Sequence, residues 1–275
     1  MFKLLVTIFL VFFYSNLSFS QFYYSDILMN KIANDNYSIL KSNKIKKVTS
    51  KSTSNEGELN ITQTFSKDWK TLETETNLSI GQANISTTYY LNNLVSKKVV
   101  SEKNIFTIVE FDYTNDNKLK SILTRSEDTS VQKGFSENHI FNYDQNGALS
   151  NLFKIKNSSD TTFIEFVKDS SNNIIGENWY YNKKLFETYY YYYNTQNQLT
   201  DIVKFNLKAN RMLPEFLFEY DVENKLIQMT QIPFGSSNYF IWKYSYNNNK
   251  LKSKEVGYNK NGELLGQMEY EYFFN

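Results

Sequence analysis

The sequence predicts an all-β fold, an antiparallel β-meander of repeated hairpins that follows a short N-terminal helix. A seven-residue turn signature recurs through the C-terminal two-thirds of the chain. The segment before each copy alternates apolar and polar residues with period two, as a half-buried strand does. Most copies are spaced by about 25 residues, which fits two strands and two turns per repeat. The recurring turns should therefore lie at one edge of the sheet.

The turn signature is Tyr-(Asp/Asn)-x-x-(Gly/Asn)-x-Leu. Full-length copies begin at Tyr113 (with Thr in the second slot), Tyr143, Tyr193, Tyr220 and Tyr258. A copy one residue shorter runs from Tyr246 to Leu251, and a degenerate copy from Lys168 to Ile174 has lysine in the tyrosine slot. Asp or Asn in the second slot can start a turn, and Gly or Asn in the fifth tolerates positive φ. This chemistry predicts a type I turn that ends in a left-handed residue and a bulge.

The strand before each turn predicts one aromatic face. Counting back in steps of two from the tyrosine slot gives Val109, Phe111 and Tyr113; His139, Phe141 and Tyr143; Tyr189, Tyr191 and Tyr193; Phe216, Phe218 and Tyr220; Trp242, Tyr244 and Tyr246. The intervening positions are mostly polar, such as Glu110, Asp112 and Lys243. Cross-strand aromatic pairs contribute roughly 0.2–1 kcal/mol each, so adjacent hairpins should stabilise one another.

The sequence does not determine the register of the strand that follows each turn. Leu119 and Ile122 are three residues apart, as are their equivalents in other copies, which requires either a bulge or a second apolar face. The hairpin spacing predicts roughly fourteen to sixteen strands, either as an extended sheet or curled into a half-shell. A long apolar face cannot stay open to water, so curvature, the N-terminal helix or a partner must cover it.

Residues 1–20 have the pattern of a cleaved signal peptide. Lys3 supplies the positive start, an apolar run extends from Leu4 to Tyr14, and small residues precede Gln21. Export to the periplasm, the cell surface or the medium is therefore expected. No transmembrane helix is predicted in the mature chain, and the absence of cysteine excludes a lipid-anchor cysteine or a disulfide framework.

The remaining chain is predicted to have two parts. Residues 21–43 form a short helical or irregular segment, in which Ser25 or Asp26 could cap an amphipathic helix carrying Ile27. Residues 44–275 form one β-hairpin repeat domain without a Pro/Gly linker. The 30 basic and 29 acidic residues give a net charge of +1, which provides no electrostatic case for nucleic acid.

No catalytic or metal-binding set emerges from the residue types. His139 is the single histidine, and its place two residues before Phe141 predicts that it packs in the aromatic row. A metal site usually needs several His or Cys ligands, so no metal or cofactor is predicted. Cysteine catalysis is excluded, and no G-x-S-x-G motif is present to expose a serine nucleophile.

Tyr190 and Tyr192 are the candidate binding residues. They stand on the face that is polar in neighbouring copies. The favoured interpretation is that they pack against Trp179 and Tyr181 of the preceding strand. The functional alternative is an exposed platform that stacks against sugar rings or a partner protein.

The hairpins resemble the YD/RHS repeats of bacterial exported proteins over about residues 105–265. The resemblance implies hairpins that coil into a shell or a long sheet, and therefore a scaffold. The chain departs from the family pattern because only Gly147 and Gly262 fill the glycine slot, and arginine never precedes the leucine. No toxin-like or protease-like core follows the repeats, so the encapsulating role of larger relatives is not implied.

These observations favour an exported, non-enzymatic scaffold or binding protein, with a glycan or a surface protein as its partner. One alternative is a carbohydrate-active enzyme that uses a pair of acidic residues. A second alternative is an outer-membrane β-barrel, which export, alternating strands and an aromatic C-terminus suggest. Lys243, Lys204 and Glu165 near the middles of strand faces weigh against the barrel.

Overall fold

The structure is a computed structural model that describes residues 23–54, 57–78, 83–131, 133–206, 210–233 and 236–274. The predicted signal peptide, residues 1–20, lies outside the described residues.

One helix and eighteen strands make up the described chain. Helix α1 is Tyr24–Ser42. The strands are β1 (Ile45–Ser54), β2 (Gly57–Phe65), β3 (Thr71–Leu78), β4 (Asn84–Leu91), β5 (Leu94–Glu102), β6 (Ile105–Tyr113), β7 (Leu119–Asp128), β8 (Lys133–Tyr143), β9 (Leu149–Lys156), β10 (Asp160–Lys168), β11 (Ile174–Tyr181), β12 (Lys184–Tyr193), β13 (Leu199–Asn206), β14 (Arg211–Tyr220), β15 (Leu226–Gln231), β16 (Phe240–Tyr246), β17 (Lys252–Asn259) and β18 (Leu264–Phe274).

The sheet closes on itself. Each strand pairs antiparallel with the next, and β18 pairs with β1 from Ile45↔Phe274 to Ser54↔Gly266. The meander prediction is confirmed, but the prediction of an extended sheet or half-shell is wrong, because the strands form an 18-stranded barrel. Closure pairs both edge strands and encloses the apolar face, which an open sheet leaves exposed. The predicted strand number was too low.

Helix α1 identifies the inner face of the barrel. At its start Tyr23 contacts His139 on β8 and Trp179 on β11, whereas Tyr37 contacts Phe65 on β2 and Tyr90 on β4. Its 19 residues span roughly 28 Å, and a ring of eighteen strands is roughly 27 Å wide or more. A helix that reaches strands so far apart must lie inside the ring. The predicted short helix is thus one continuous helix that crosses the barrel.

The aromatic face predicted from the alternation is this inner face. Its side chains are buried on successive strands, as at Phe141, Trp179, Tyr189 and Trp242. The polar positions between them, such as Lys243, point outward and are exposed. Charged positions such as Lys243 therefore lie on the outside of the barrel, and the aromatic face is enclosed.

The repeated turns share one hydrogen-bond pattern. The Oδ1 of Asp144 accepts the backbone N–H groups of Asn146 and Ala148, each at 2.9 Å, and the second-slot residues at 169, 194, 221, 247 and 259 do the same. The fifth-slot residue has positive φ in every copy, as at Gly147 with φ 73°. These turns therefore form as their second and fifth slots predict.

The turn at Tyr246 differs from the prediction that it is one residue shorter than the others. Asn247 accepts hydrogen bonds from the N–H groups of Asn249 and Leu251, both at 3.0 Å, and the positive φ of 62° belongs to Lys250. The copy at Tyr246 is therefore full length, with lysine in the fifth and seventh slots. Asn249 matched the Gly/Asn slot one residue too early, which made the copy look short.

A β-bulge follows each of these turns. Tyr113 pairs with Leu119 and Asp112 pairs with Ser121, which leaves Lys120 as an extra residue. The same shift occurs in the other copies. The bulge brings residues three apart onto the same inner face, and this settles the register that the sequence left open.

Six tyrosines make equivalent hydrogen bonds, and we call these residues the tyrosine row. In each, the hydroxyl at the end of one strand donates to a backbone carbonyl at the start of the preceding strand: Tyr113 to Val95 (2.8 Å), Tyr143 to Leu119 (2.7 Å), Tyr193 to Ile174 (2.8 Å), Tyr220 to Leu199 (2.8 Å), Tyr246 to Leu226 (2.8 Å) and Tyr272 to Lys252 (2.6 Å). The backbone ladder between these two strands begins two residues after the carbonyl that accepts the bond. In β13, for example, Leu199 accepts the hydroxyl bond and the first ladder pair is Asp201↔Leu217. The hydroxyl thus bridges strands where the backbone ladder has ended.

Removing one hydroxyl tests the tyrosine row. Tyr220→Phe leaves the Leu199 carbonyl without this donor and should lower the free energy of unfolding by about 1 kcal/mol, measured by urea denaturation. Tyr192→Phe is the matched control, because the Tyr192 side chain points outward and is 49% exposed. Equal losses in the two variants would contradict a structural role for the row.

Candidate functional site

Helix α1 begins on a buried carboxylate. The N-cap residue is Tyr23, and its side chain makes no capping bond, so the predicted cap at Ser25 or Asp26 is wrong. Instead Glu177 on β11 accepts the N–H of Tyr23 at 2.6 Å and that of Tyr24 at 3.0 Å. A carboxylate at this place satisfies two free N–H groups and complements the positive end of the helix dipole.

Glu177 is enclosed on all sides. Its side chain has no exposed surface, and it also accepts hydrogen bonds from the Trp179 indole at 2.5 Å and from the Tyr191 hydroxyl. Burial raises the pKa of Glu177 to about 7, although the four donors favour the charged form. A single acid therefore joins the helix start to the aromatic wall.

His139 lies between two carboxylates. Its Nδ1 is 2.6 Å from Asp26 in the first turn of α1, and its Nε2 is 2.8 Å from Glu137 on the same strand. Burial alone would lower the pKa of His139, but the two carboxylates outweigh it and raise the pKa to about 9. Lys154 on β9 adds a second cation, with its Nζ 3.1 Å from Glu137.

We call Asp26, Glu137, His139, Lys154 and Glu177 the helix-anchoring network. Apart from Glu177, it holds two carboxylates, one imidazolium and one ammonium, so its charges balance. Two of its members bind the start of α1 directly, one through the backbone and one through Asp26. The arrangement fits a role in fixing the helix across the barrel.

A second buried group of charges lies on β12 to β14. Lys204 is buried on the inner face and forms an ion pair with Glu187, so it does not weigh against a membrane barrel as the sequence suggested. A bulge between the pairs Ile202↔Phe216 and Val203↔Pro214 leaves Glu215 as an extra residue, buried near Lys204. Burial raises the pKa of Glu215 to about 7.

The acidic pair of a carbohydrate-active enzyme has one candidate in the helix-anchoring network. Asp26 and Glu137 contact the two nitrogens of the same imidazole ring. Glycosidases keep one carboxyl protonated by a raised pKa. Burial alone would raise the pKa of Glu137, but His139 and Lys154 outweigh it and hold that pKa below its ordinary range. The pair is therefore suited to ion pairing rather than to acid catalysis.

Tyr190 and Tyr192 lie on the outer face of β12. Tyr192 is 49% exposed and Tyr190 is half-buried. The interpretation that they pack against Trp179 is wrong, because Trp179 points inward and packs against Tyr23 and Tyr189. The two tyrosines lie on the opposite side of the sheet from the helix-anchoring network, and their binding role stays a prediction.

The sequence interpretation missed Glu177, named Asp26 only as a possible helix cap, and placed His139 only in part. His139 does lie on the inner face and contacts Tyr23 edge-on at 5.3 Å, but its main contacts are ionic. A usable signal existed for Glu177, because alternation back from Trp179 puts this acid on the aromatic face. Its partners come from α1, which no pattern in the strands could identify.

The described residues contain no group of three or more His, Cys, Asp or Glu side chains placed to hold a metal ion. No described helix is both long enough and apolar enough to cross a membrane.

Comparisons with known proteins give a distant likeness only. No protein-family model matches the chain, and no curated protein does. Among solved structures it is similar to a porin-like protein from Bacteroides uniformis, at 8% identity over 83% of this chain and 98% of that chain, with a TM-score of 0.40. It is also similar to TcdB2-TccC3 without its hypervariable C-terminal region, at 11% identity over 77% of this chain and 12% of that one, with a TM-score of 0.36. Scores this low carry no argument about function.

The pKa shifts predict that stability falls as pH rises. His139 stays protonated in the folded protein to about pH 9, but in the unfolded chain only to about 6.5, so its stabilisation is complete below 6.5 and lost by 9. Glu177 and Glu215 ionise near pH 7, so their effect on stability is complete near that pH. Between pH 7 and 9 the change in stability therefore comes from His139. The loss there should be roughly 1–3 kcal/mol by urea denaturation.

His139→Gln is the control for this pH dependence. The variant should be less stable than the natural chain at pH 6 and should show little change in stability between pH 7 and 9. A natural chain whose unfolding free energy is flat over that interval would contradict an imidazolium in the helix-anchoring network.

Proposed function

We propose that this chain is an exported, non-enzymatic β-barrel that serves as a scaffold or binding protein with its outer wall in water. The observation that supports the proposal is the polarity of the outer face. Exposed charged side chains occupy outward positions on six strands: Lys51 on β1, Glu73 on β3, Glu165 on β10, Glu219 on β14, Lys243 on β16 and Glu269 on β18.

The energetic cost of lipid contact supports an aqueous setting. A lysine or arginine on the lipid face of a membrane barrel costs about 2–4 kcal/mol at the bilayer midplane. Lys243 lies at the centre of the seven-residue strand β16 and is exposed. Charges of this kind on several strands would together cost about as much as the free energy of unfolding of an ordinary domain. Buried aromatic side chains such as Trp242 pack inward, and exposed rings such as Phe106 and Phe153 share the outer face with these charges.

An outer-membrane β-barrel is the second candidate, and closure of the ring favours it. The eighteen paired strands form the closed architecture that this alternative requires, which an open scaffold does not. In this respect the barrel alternative describes the architecture better than the scaffold interpretation. The two candidates differ in what the outer face contacts.

A glycan or a surface protein is the partner class that we propose for the outer face. Tyr192 offers an accessible ring, with Tyr190 beside it on the same side of β12. Aromatic rings with one polar end suit contacts that are partly apolar and partly wet. The resemblance of the hairpins to YD/RHS repeats adds support for a scaffold.

Phase partitioning with a cloud-point detergent tests the proposal. The protein expressed with its own leader should partition into the aqueous phase, because its outer face is charged. Recovery in the detergent phase would contradict the proposal and establish the outer-membrane alternative.

Glycan-array binding tests the proposed partner class. Binding by the natural chain should be lost in the double variant Tyr190→Ala, Tyr192→Ala. Unchanged binding would remove both residues from the site.

A further inference from the structure

The tyrosine row has one interruption. Six of seven consecutive places carry a tyrosine hydroxyl bonded to a carbonyl, and the remaining place, at the end of β10, is Lys168. The Nζ of Lys168 forms an ion pair with Asp144 in the preceding turn. The head of the lysine is therefore held to one side of the position that a tyrosine ring takes elsewhere.

A hollow lies at this interruption. It has a volume of about 380 Å³ and opens between the start of α1 and two neighbouring turns. Tyr24 and Ile27 of the helix form one side, and Tyr143, Leu149 and Ile174 form the barrel side. Asn146 and Asn172 of the two turns complete the lining, so the walls are about equally polar and apolar. The volume falls within the range of small-molecule sites.

The repeat shows which group this place is built to receive. On either side, a phenol ring lies against the inner face, with its hydroxyl on the carbonyl of Leu119 in one copy and of Ile174 in the other. Leu149 is the first residue of β9 and occupies the equivalent slot. Its carbonyl is thus the equivalent acceptor for a hydroxyl in the hollow.

We propose that this hollow binds a small neutral phenol, whose ring lies between Ile27 and Leu149 and whose hydroxyl donates to the Leu149 carbonyl. None of the residues that line the hollow carries a charge, and the neighbouring Lys168 and Asp144 neutralise each other, which favours a neutral ligand over an ion. This site deepens the proposed function, since it gives the barrel a ligand class, but it does not depend on what the outer face contacts.

Fluorine NMR of 4-fluorophenol tests the site on the folded chain. The natural protein should broaden and shift the fluorine signal with a saturable dependence on protein concentration. Fluorobenzene, which lacks the hydroxyl, should bind about fivefold to tenfold more weakly, the effect of one lost hydrogen bond. Equal binding of the two probes would overturn the assigned hydroxyl contact.

Three substitutions at one position localise the binding. Lys168→Tyr and Lys168→Phe place a ring in the hollow, so both should abolish 4-fluorophenol binding. Lys168→Arg keeps a cation for Asp144 and should preserve it. Of the two ring variants, only the tyrosine can restore the hydroxyl bond, so Lys168→Tyr should have the higher melting temperature.

The outcomes separate this inference from the proposed function. Binding that persists in a folded Lys168→Tyr variant, or no saturable binding to the natural chain, would overturn the site. Circular dichroism establishes that each variant is folded before its binding is scored. Neither result changes the expected partitioning of the barrel into the aqueous phase.

Discussion

The hydrogen bond from a tyrosine hydroxyl to a backbone carbonyl at the start of the preceding strand is the interaction on which this barrel depends. Each repeated turn ends in a bulge, and on its far side the backbone ladder begins two residues farther in. Tyrosine is long enough to bridge this gap from the inner face and carries a donor at its tip. Its repetition joins neighbouring turns along the rim.

The inward direction of these rings determines the rest of the architecture. Because the apolar side chains share one face, burying them requires the sheet to curve until β18 meets β1. Helix α1 then crosses the enclosed space and needs polar anchors there, which Glu177 and His139 supply. Exposed charged residues such as Lys243 and Glu165 lie on the outer face, and they support the proposal of an aqueous scaffold or binding protein.

The sequence predicted what is local and missed what is distant. The turns, the aromatic face and the helix follow from the slots of a short repeat and from period-two alternation. Closure did not follow, because β1 to β5 lack the tyrosine signature and the pairing of β1 with β18 joins the two ends of the chain. Glu177 and Lys204 were missed for a related reason, since their partners come from other elements and a bulge.

Disulfide trapping between the first and last strands tests closure most directly. The chain has no cysteine, so Thr53→Cys with Gln267→Cys introduces one pair at positions that face each other across β1 and β18. Mild oxidation of the folded protein should cross-link this pair nearly completely, and should not cross-link Thr53→Cys with Gln228→Cys, whose strands are not neighbours. A folded protein in which the first pair stays reduced, or in which both pairs react alike, would contradict a closed barrel.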